Sequence, residues 1–370
     1  MASTDSTPLR VMIVCPYSMS VFGGVQDQVL GLSRALRNRG VDARVVGPCD
    51  GPPPEPGVTV VGPTRGVVTN GSVAPIASGR AVAARTLEAI RVFEPDVVHL
   101  HEPLVPGPPQ AALLGTPAPT VGTFHAAVAG EHPWYRAFRP PLTRWVRRLS
   151  VRTAVSEEAR RLAEEAFGGT YRVLPNGVEV DRFAAAAPWP ASRPAIFFVG
   201  RHEPRKGLDV LLSAFAGLED EAELWVAGDG PDNEELRVGS PRGVEWLGRI
   251  PDEEKARRLR AATVACFPAR HGESFGLVLL EAMAAGTAVV ATTIPGYEAV
   301  ARPDREALLV PPGDAAALRD ALRALLRDPQ RRQRLVDAGC RRADEFSMIR
   351  LAERFVPVYE EARASQGSRV

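Results

Sequence analysis

Glu273 and Glu281 stand eight positions apart in the stretch Arg270 to Thr292, RHGESFGLVLLEAMAAGTAVVAT. The pattern predicts a loop carrying Glu273, a helix carrying Glu281, a small-residue turn at Ala284, Ala285 and Gly286, and an apolar strand from Ala288 to Ala291. At 3.6 residues per turn, Glu281 lies about two turns into that helix, near the face that Glu273 precedes. Carboxylates only accept hydrogen bonds, so the pair suits a ligand rich in hydroxyl donors. A helix start reached through Gly272 and Gly276 offers free N–H groups to a diphosphate. Together these point to a sugar nucleotide, with one acid for the sugar ring and one for the ribose. Two glutamates at this spacing also occur on solvated helix faces, so the reading depends on their company.

Part of that company is basic. Of 45 basic residues only Lys206 and Lys255 are lysine. Lys206 shares the glycine-bounded loop GRHEPRKG, 200–207, with Arg201. A guanidinium fork and a compact ammonium on one loop at a strand end can converge on two phosphates. Histidine supplies the rest. DVVHLHEP, 96–103, and PTVGTFH, ending at 125, read as parallel strands whose carboxyl ends carry His101 with Glu102 and His125. Open α/β sheets hold ligands at such ends. His125, followed by the small-residue run HAAVAG, is the residue expected to reach a cleft.

These positions need a scaffold of repeated strand, helix and strand units. LRVMIVCPY, 9–17, reads as a buried strand, and GGVQ opens a helix ending near Gly40. Residues 64–79 read as a loop, 80–93 as a helix and 184–194, AAAAPWPASRP, as a linker; AIFFVG then opens a second Rossmann-like domain. Helices are expected at 314–327 and 329–345, with a terminal helix near 347–364. The domains expected are 1–187, 188–346 and a final helical segment 347–370. At 370 residues the chain exceeds what one core serves. A net charge of +1 excludes a globally basic nucleic-acid binder. No apolar run reaches spanning length and the first residues carry no secretory pattern, so a cytoplasmic place is expected. Cys15, Cys49, Cys266 and Cys340 have no metal or disulfide spacing. Six arginines between 136 and 152 alternate with Trp134, Tyr135, Phe138 and Trp145, a pattern of a solvated amphipathic helix or of an anionic membrane surface.

GGVQ at 23–26, HEP at 101–103, FH at 124–125, PNGV at 175–178, GRHEPRKG and the acidic stretch occur in the order of one family, and the chain resembles the retaining GT-B glycosyltransferases of family four over nearly its whole length. The resemblance implies an α/β GT-B fold: two Rossmann-like domains facing across a cleft, with the C-terminal helix crossing back to the first. It implies catalytic roles for His125, Arg201, Lys206 and Glu273. It further implies a donor site of Gly24, Arg201, Lys206, Arg249, Ile250, Lys255, Glu273, Ser274, Phe275, Gly276 and Glu281. No cofactor beyond the nucleotide sugar is implied, and any Mg2+ would have no dedicated protein site. Retention would proceed by front-face attack, with a donor phosphate accepting the acceptor's proton.

CPYS (15–18), NGSVA (70–74), LHEP (100–103) and EPRKG (203–207) are most similar to the branch that mannosylates phosphatidylinositol. That branch implies GDP-mannose as donor, an acceptor site of Tyr17, Gln26, Asn70 and His125, and a peripheral place at the inner face of the membrane. Four departures fall on the acceptor side. Ser20 or its neighbours stand where an acidic residue precedes GGVQ, Leu104 follows HEP, Gly130 stands near an expected lysine, and 80–91 holds only Arg80, Arg85 and Arg91. Another nucleotide sugar with a different lipid or soluble acceptor, and a GT-B sugar-nucleotide epimerase, remain the alternatives.

Overall fold

Runs of branched apolar residues, buried on both faces, form two parallel sheets. The computed structural model describes residues 7–21, 23–69, 72–125 and 139–367. They divide into one unit made of Met1–Gly177 with Met348–Val370 and another of Val178–Ser347.

In the first unit the strands are β1 (Arg10–Val14), β2 (Asp42–Gly47), β3 (Val58–Val60), β4 (Arg65–Thr69), β5 (Ser72–Ile76), β6 (Val97–His101), β7 (Thr120–Phe124), β8 (Val151–Ala154) and β9 (Arg172–Val173). Seven of these make a sheet in the order β3-β2-β1-β6-β7-β8-β9. The order runs one way from β1 and the other way from β6, so the switch point lies between them. Glycine-rich loop 15–24 leaves β1 there, and His101 and Glu102 end β6 there. Helices cover both faces of the sheet, which is why β6 and β7 are buried at every position, histidines included.

The helix Met348–Gly367 belongs to this unit. Its Leu351, Phe355, Val358 and Tyr359 enter the core formed by Val11, Ile13, Leu32 and Val97. Burying each large side chain contributes roughly 1.5–3 kcal/mol, so the helix is integral to the core. His99 of β6 ties it in by a polar bond, Nδ1 lying 2.9 Å from the Tyr359 hydroxyl.

The second unit repeats the plan with β10 (Ala195–Val199), β11 (Glu223–Ala227), β12 (Val244–Gly248), β13 (Val264–Phe267), β14 (Ala288–Thr292) and β15 (Leu308–Val310), ordered β12-β11-β10-β13-β14-β15. Its switch point lies between β10 and β13. The loop with Arg201 and Lys206 leaves β10, and the loop with Glu273 leaves β13. Helices Ala315–Arg327 and Pro329–Glu345 are each capped by an aspartate, Asp314 accepting from Ala317 N and Asp328 from Arg331 N.

Three expectations differ from the structure. Residues 65–76 are an antiparallel hairpin rather than loop, with Thr69 paired to Ser72. The division between units falls after Gly177, ahead of the boundary expected at 187. The stretch expected as a linker lies inside the second unit: Trp189 packs on its core, its N–H donates to Arg257 O, and Arg258 stacks over its ring at 4.3 Å. Proline and alanine content mimicked a linker where packing had made a wall.

Candidate active site

In the second unit, Glu203 caps a short 3-10 turn, Pro204–Lys206, that turns Arg205 and Lys206 toward the loop after β13. Lys206 Nζ lies 2.6 Å from Glu273 Oε1, and Arg205 Nη1 reaches the same oxygen at 2.8 Å. Arg205 Nη2 is 2.6 Å from Glu203 Oε1, and Arg201 Nε is 3.5 Å from Glu203 Oε2. Arg201, Arg205 and Lys206 against Glu203 and Glu273 leave this chain of contacts with one positive charge. Glu273 is only 13% exposed, so the pairing sits where Coulomb terms are weakly screened.

Eight residues on, Glu281 has its own lysine. Lys255 Nζ is 2.9 Å from Glu281 Oε1 and 3.4 Å from Asp252 Oδ1, and Arg182 Nη2 lies 2.6 Å from Asp252 Oδ2. Burial raises the Asp252 pKa, but Lys255 and Arg182 outweigh it and hold the carboxyl below its ordinary value. The two lysines of the chain thus pair with the two carboxylates singled out by spacing.

Local backbone fixes this geometry. Gly276 caps the helix Leu277–Ala284 at φ 64°, and a Cβ there would lie 2.8 Å from the Tyr297 ring. Gly296 lets the Glu273 carbonyl approach to where a Cβ would be 1.9 Å from it. Of the remaining donor-side candidates, Phe275 is buried edge-on to Phe346, so only its backbone is open to a ligand. Ser274 is half-buried, Ile250 packs on the core, and Arg249 is exposed with Nε 3.2 Å from Asp229 Oδ2.

In the first unit, Gly23 caps the helix Gly24–Arg37 in extended conformation, so GGVQ is not a positive-φ turn. Gln26 is buried and its Nε2 donates to Ser18 O. Tyr17 is half-buried and bridges to Ile76 in the hairpin. Asn70 and Gly130, with Trp134, Tyr135, Arg136 and Phe138, lie outside the described residues. His125 is buried rather than extended toward solvent: its backbone N–H donates to Glu102 Oε1 at 2.8 Å, and its ring Nε2 lies 2.8 Å from His101 Nδ1. Burial pushes its pKa down to about 3 and that of His101 well below the ordinary range. Both rings line a small internal cavity with Thr123, Gln28 and Asn176. Glu102 holds φ 48°, a left-handed conformation uncommon outside glycine, beside this pair.

Residues 22–182 match the family described as Glycosyltransferase Family 4, and 180–342 the one described as Glycosyl transferases group 1. A phosphatidyl-myo-inositol mannosyltransferase of Mycobacterium leprae is 39% identical, across 98% of this chain and 99% of its own. The chain belongs to the family-four glycosyltransferases. A second mannosyltransferase of that name, from Mycolicibacterium smegmatis, is 36% identical over 95% of this chain and 94% of its own. Among solved structures, sucrose-phosphate synthase from Thermosynechococcus elongatus superimposes with TM-score 0.75 over 96% of this chain and 100% of its own, at 21% identity. Anabaena Alr3699/HepE in complex with UDP and glucose gives 0.73 over 95% and 99%, at 17%. At these identities the likeness is one of fold, the GT-B fold.

The glycosyltransferase is a hexosyltransferase that draws on a nucleotide-sugar donor. Its carboxylates and lysines were visible in sequence; the groups that hold them were not. Arg205 was passed over beside Lys206 and Asp252 beside Lys255, and His101 was placed at a ligand-holding strand end without its contact to His125. Only the register His101↔Thr123 between β6 and β7 brings His101 against His125.

Proposed function

We propose that this glycosyltransferase moves mannose from GDP-mannose onto phosphatidylinositol with retention, without a dedicated metal site. The observation that carries this reading is the ion-paired Lys206–Glu273 contact with Arg205 and Arg201 alongside, in a chain 39% identical over nearly its full length to a phosphatidyl-myo-inositol mannosyltransferase. Negative charge develops on the departing diphosphate as the glycosidic bond breaks, and fixed cations stabilise it without reorganising. Lys206 is held by Glu273 before the donor arrives; its ammonium has three donors and can keep that contact while meeting a phosphate oxygen. Glu273 then accepts from sugar hydroxyls and Glu281 from the ribose, each steadied by its lysine. Arg249 and Ile250 offer backbone to the base. A donor phosphate oxygen takes the acceptor's proton as the new bond forms on the same face.

Tyr17, Gln26, Asn70 and His125 are assigned to the acceptor. One departure from the mannosyltransferase pattern costs little: Leu104 is 3% exposed and packs in the core, so no ligand-facing polar group is lost there. No helix among the described residues is long and apolar enough to cross a membrane. A lipid acceptor would be met peripherally, and Arg144, Arg147 and Arg148 are exposed without an ion pair among the described residues, which supports contact with anionic headgroups.

Transfer of label from GDP-mannose, UDP-glucose and UDP-N-acetylglucosamine, each offered phosphatidylinositol vesicles or soluble inositol phosphate, tests the reading. Label should pass from GDP-mannose to the lipid. A product from another donor, or in the soluble phase only, replaces that donor or acceptor and keeps the hexosyltransferase.

A further inference from the structure

A neutral imidazole has two nitrogens and one proton, so the chemistry of His125 depends on which nitrogen carries it. Its Nε2 is committed to His101 Nδ1 at 2.8 Å, and the two rings stack with centroids 5.0 Å apart. Its Nδ1 makes no hydrogen bond among the described residues. One member of the pair must donate. His101 is 2% exposed, and its other nitrogen, Nε2, is buried without a hydrogen-bond partner among the described residues. If His101 accepted at Nδ1, its own proton would sit on that Nε2 as a buried donor with no acceptor among the described residues. Buried N–H groups left without an acceptor are rare in folded proteins. The favoured arrangement has His101 donating from Nδ1, so His125 Nε2 accepts and the His125 proton rests on Nδ1.

Among the described residues, the neighbouring His99 offers this pair no proton. His99, whose ring centroid is 4.4 Å from that of His101, belongs to a chain with fixed direction. Thr153 Oγ1 donates to Gly122 O, so Thr123 donates to Thr153 and His99 Nε2–H donates to Thr123. The Tyr359 hydroxyl then donates to His99 Nδ1. Both nitrogens of His99 are used, and Glu102 Oε1 accepts the backbone N–H of His125.

We propose that His101 is a positioning residue that holds His125 as the Nδ1–H tautomer, so that His125 meets the sugar or the acceptor as a hydrogen-bond donor and not as a base. The catalytic half of this statement rests on the placement of His125 beside the transfer; the tautomer does not.

Long-range 1H–15N correlation on histidine-labelled full-length protein reads the tautomer directly. His125 should show a protonated Nδ1 and a bare Nε2, and the opposite pattern overturns the assignment. Two substitutions then test the consequence. His101→Asn keeps an N–H donor on the same carbon, while His101→Asp offers only acceptors. The aspartate variant should convert His125 to the Nε2–H form and lower kcat for GDP-mannose with phosphatidylinositol vesicles about ten- to hundredfold, the scale of losing a histidine's orienting partner. GDP affinity should be unchanged, and the asparagine variant should retain most of the turnover. Equal turnover in the two variants, with His125 reversed in the aspartate one, refutes the donor role. His125→Ala separates the readings: undiminished turnover removes His125 from the transfer while leaving the tautomer assignment to the spectrum.

Discussion

Lys206 and Glu273 each hold the other in place, so removing either has two effects: a group proposed to meet the donor is lost, and its partner is released. Lys206→Ala and Glu273→Ala should each lower kcat by about 10²–10³-fold, the range for a lost electrostatic stabiliser. Because the two side chains are only 16% and 13% exposed, truncating one partner leaves a weakly screened charge and should also lower the unfolding temperature; near-normal turnover in either variant would remove the assignment. The buried histidines predict acid lability. Burial pushes His99 and His125 down to about 3, and burial with the neighbouring rings pushes His101 well below its ordinary range. The unfolded chain takes up these protons near pH 6.5 while the folded chain does not. The stability of the neutral rings is therefore intact above that pH and is lost as pH falls toward 3, by about 1.4 kcal/mol per pH unit for each ring. Urea midpoints between about pH 7 and pH 5 should fall, and less steeply in His101→Asn; a flat profile would contradict the burial of neutral rings. Reactive groups were legible in sequence because their types are rare: two lysines in the chain, two glutamates at one helix start. Their partners Arg205 and Asp252 were not, since arginine and aspartate are common everywhere along it.

Among elements, the hairpin Arg65–Ile76 was misread although the sequence carries its signal. Asn70-Gly71 between RGVVT and SVAPI is the dipeptide that favours a two-residue hairpin loop. Glycines and prolines on either side outvoted it. Parallel strands were easier, because runs such as VMIV and VVHLH are buried on both faces and read as continuous apolar stretches. What no run reveals is register, and the His101–His125 contact is a register effect. The terminal helix yields a prediction at this level. Tyr359→Phe removes the hydroxyl that donates to His99 Nδ1 and leaves that nitrogen bare in the core. The loss should be about 1–3 kcal/mol of unfolding free energy, read from urea titration. A neutral substitution would mean that the polar chain from Tyr359 to Gly122 contributes nothing to holding the helix.

At the level of the whole molecule, each unit has its own switch point with its own charged or histidine-bearing loops, a doubling that the two strand, helix and strand series announced. The boundary was placed late because Pro188 and Pro190 resemble a linker and Trp189 between them does not declare that it is packed. One feature of the division reaches beyond the folded state. The second unit is a single continuous span, Val178–Ser347, whereas the first needs Met348–Gly367 to close its core. On the ribosome, the part made second can therefore finish folding while the part made first still waits for Met348–Gly367 to leave the exit tunnel. Domains ordinarily fold in the order of their synthesis; this division predicts the reverse. Nascent chains arrested with residue 347 just outside the tunnel should protect 178–347 from protease and leave 1–177 open to cleavage, and arrest with residue 367 outside should protect both. Until that moment the uncovered face of the first sheet, with Val11, Ile13 and Val97, is a surface for chaperones to hold.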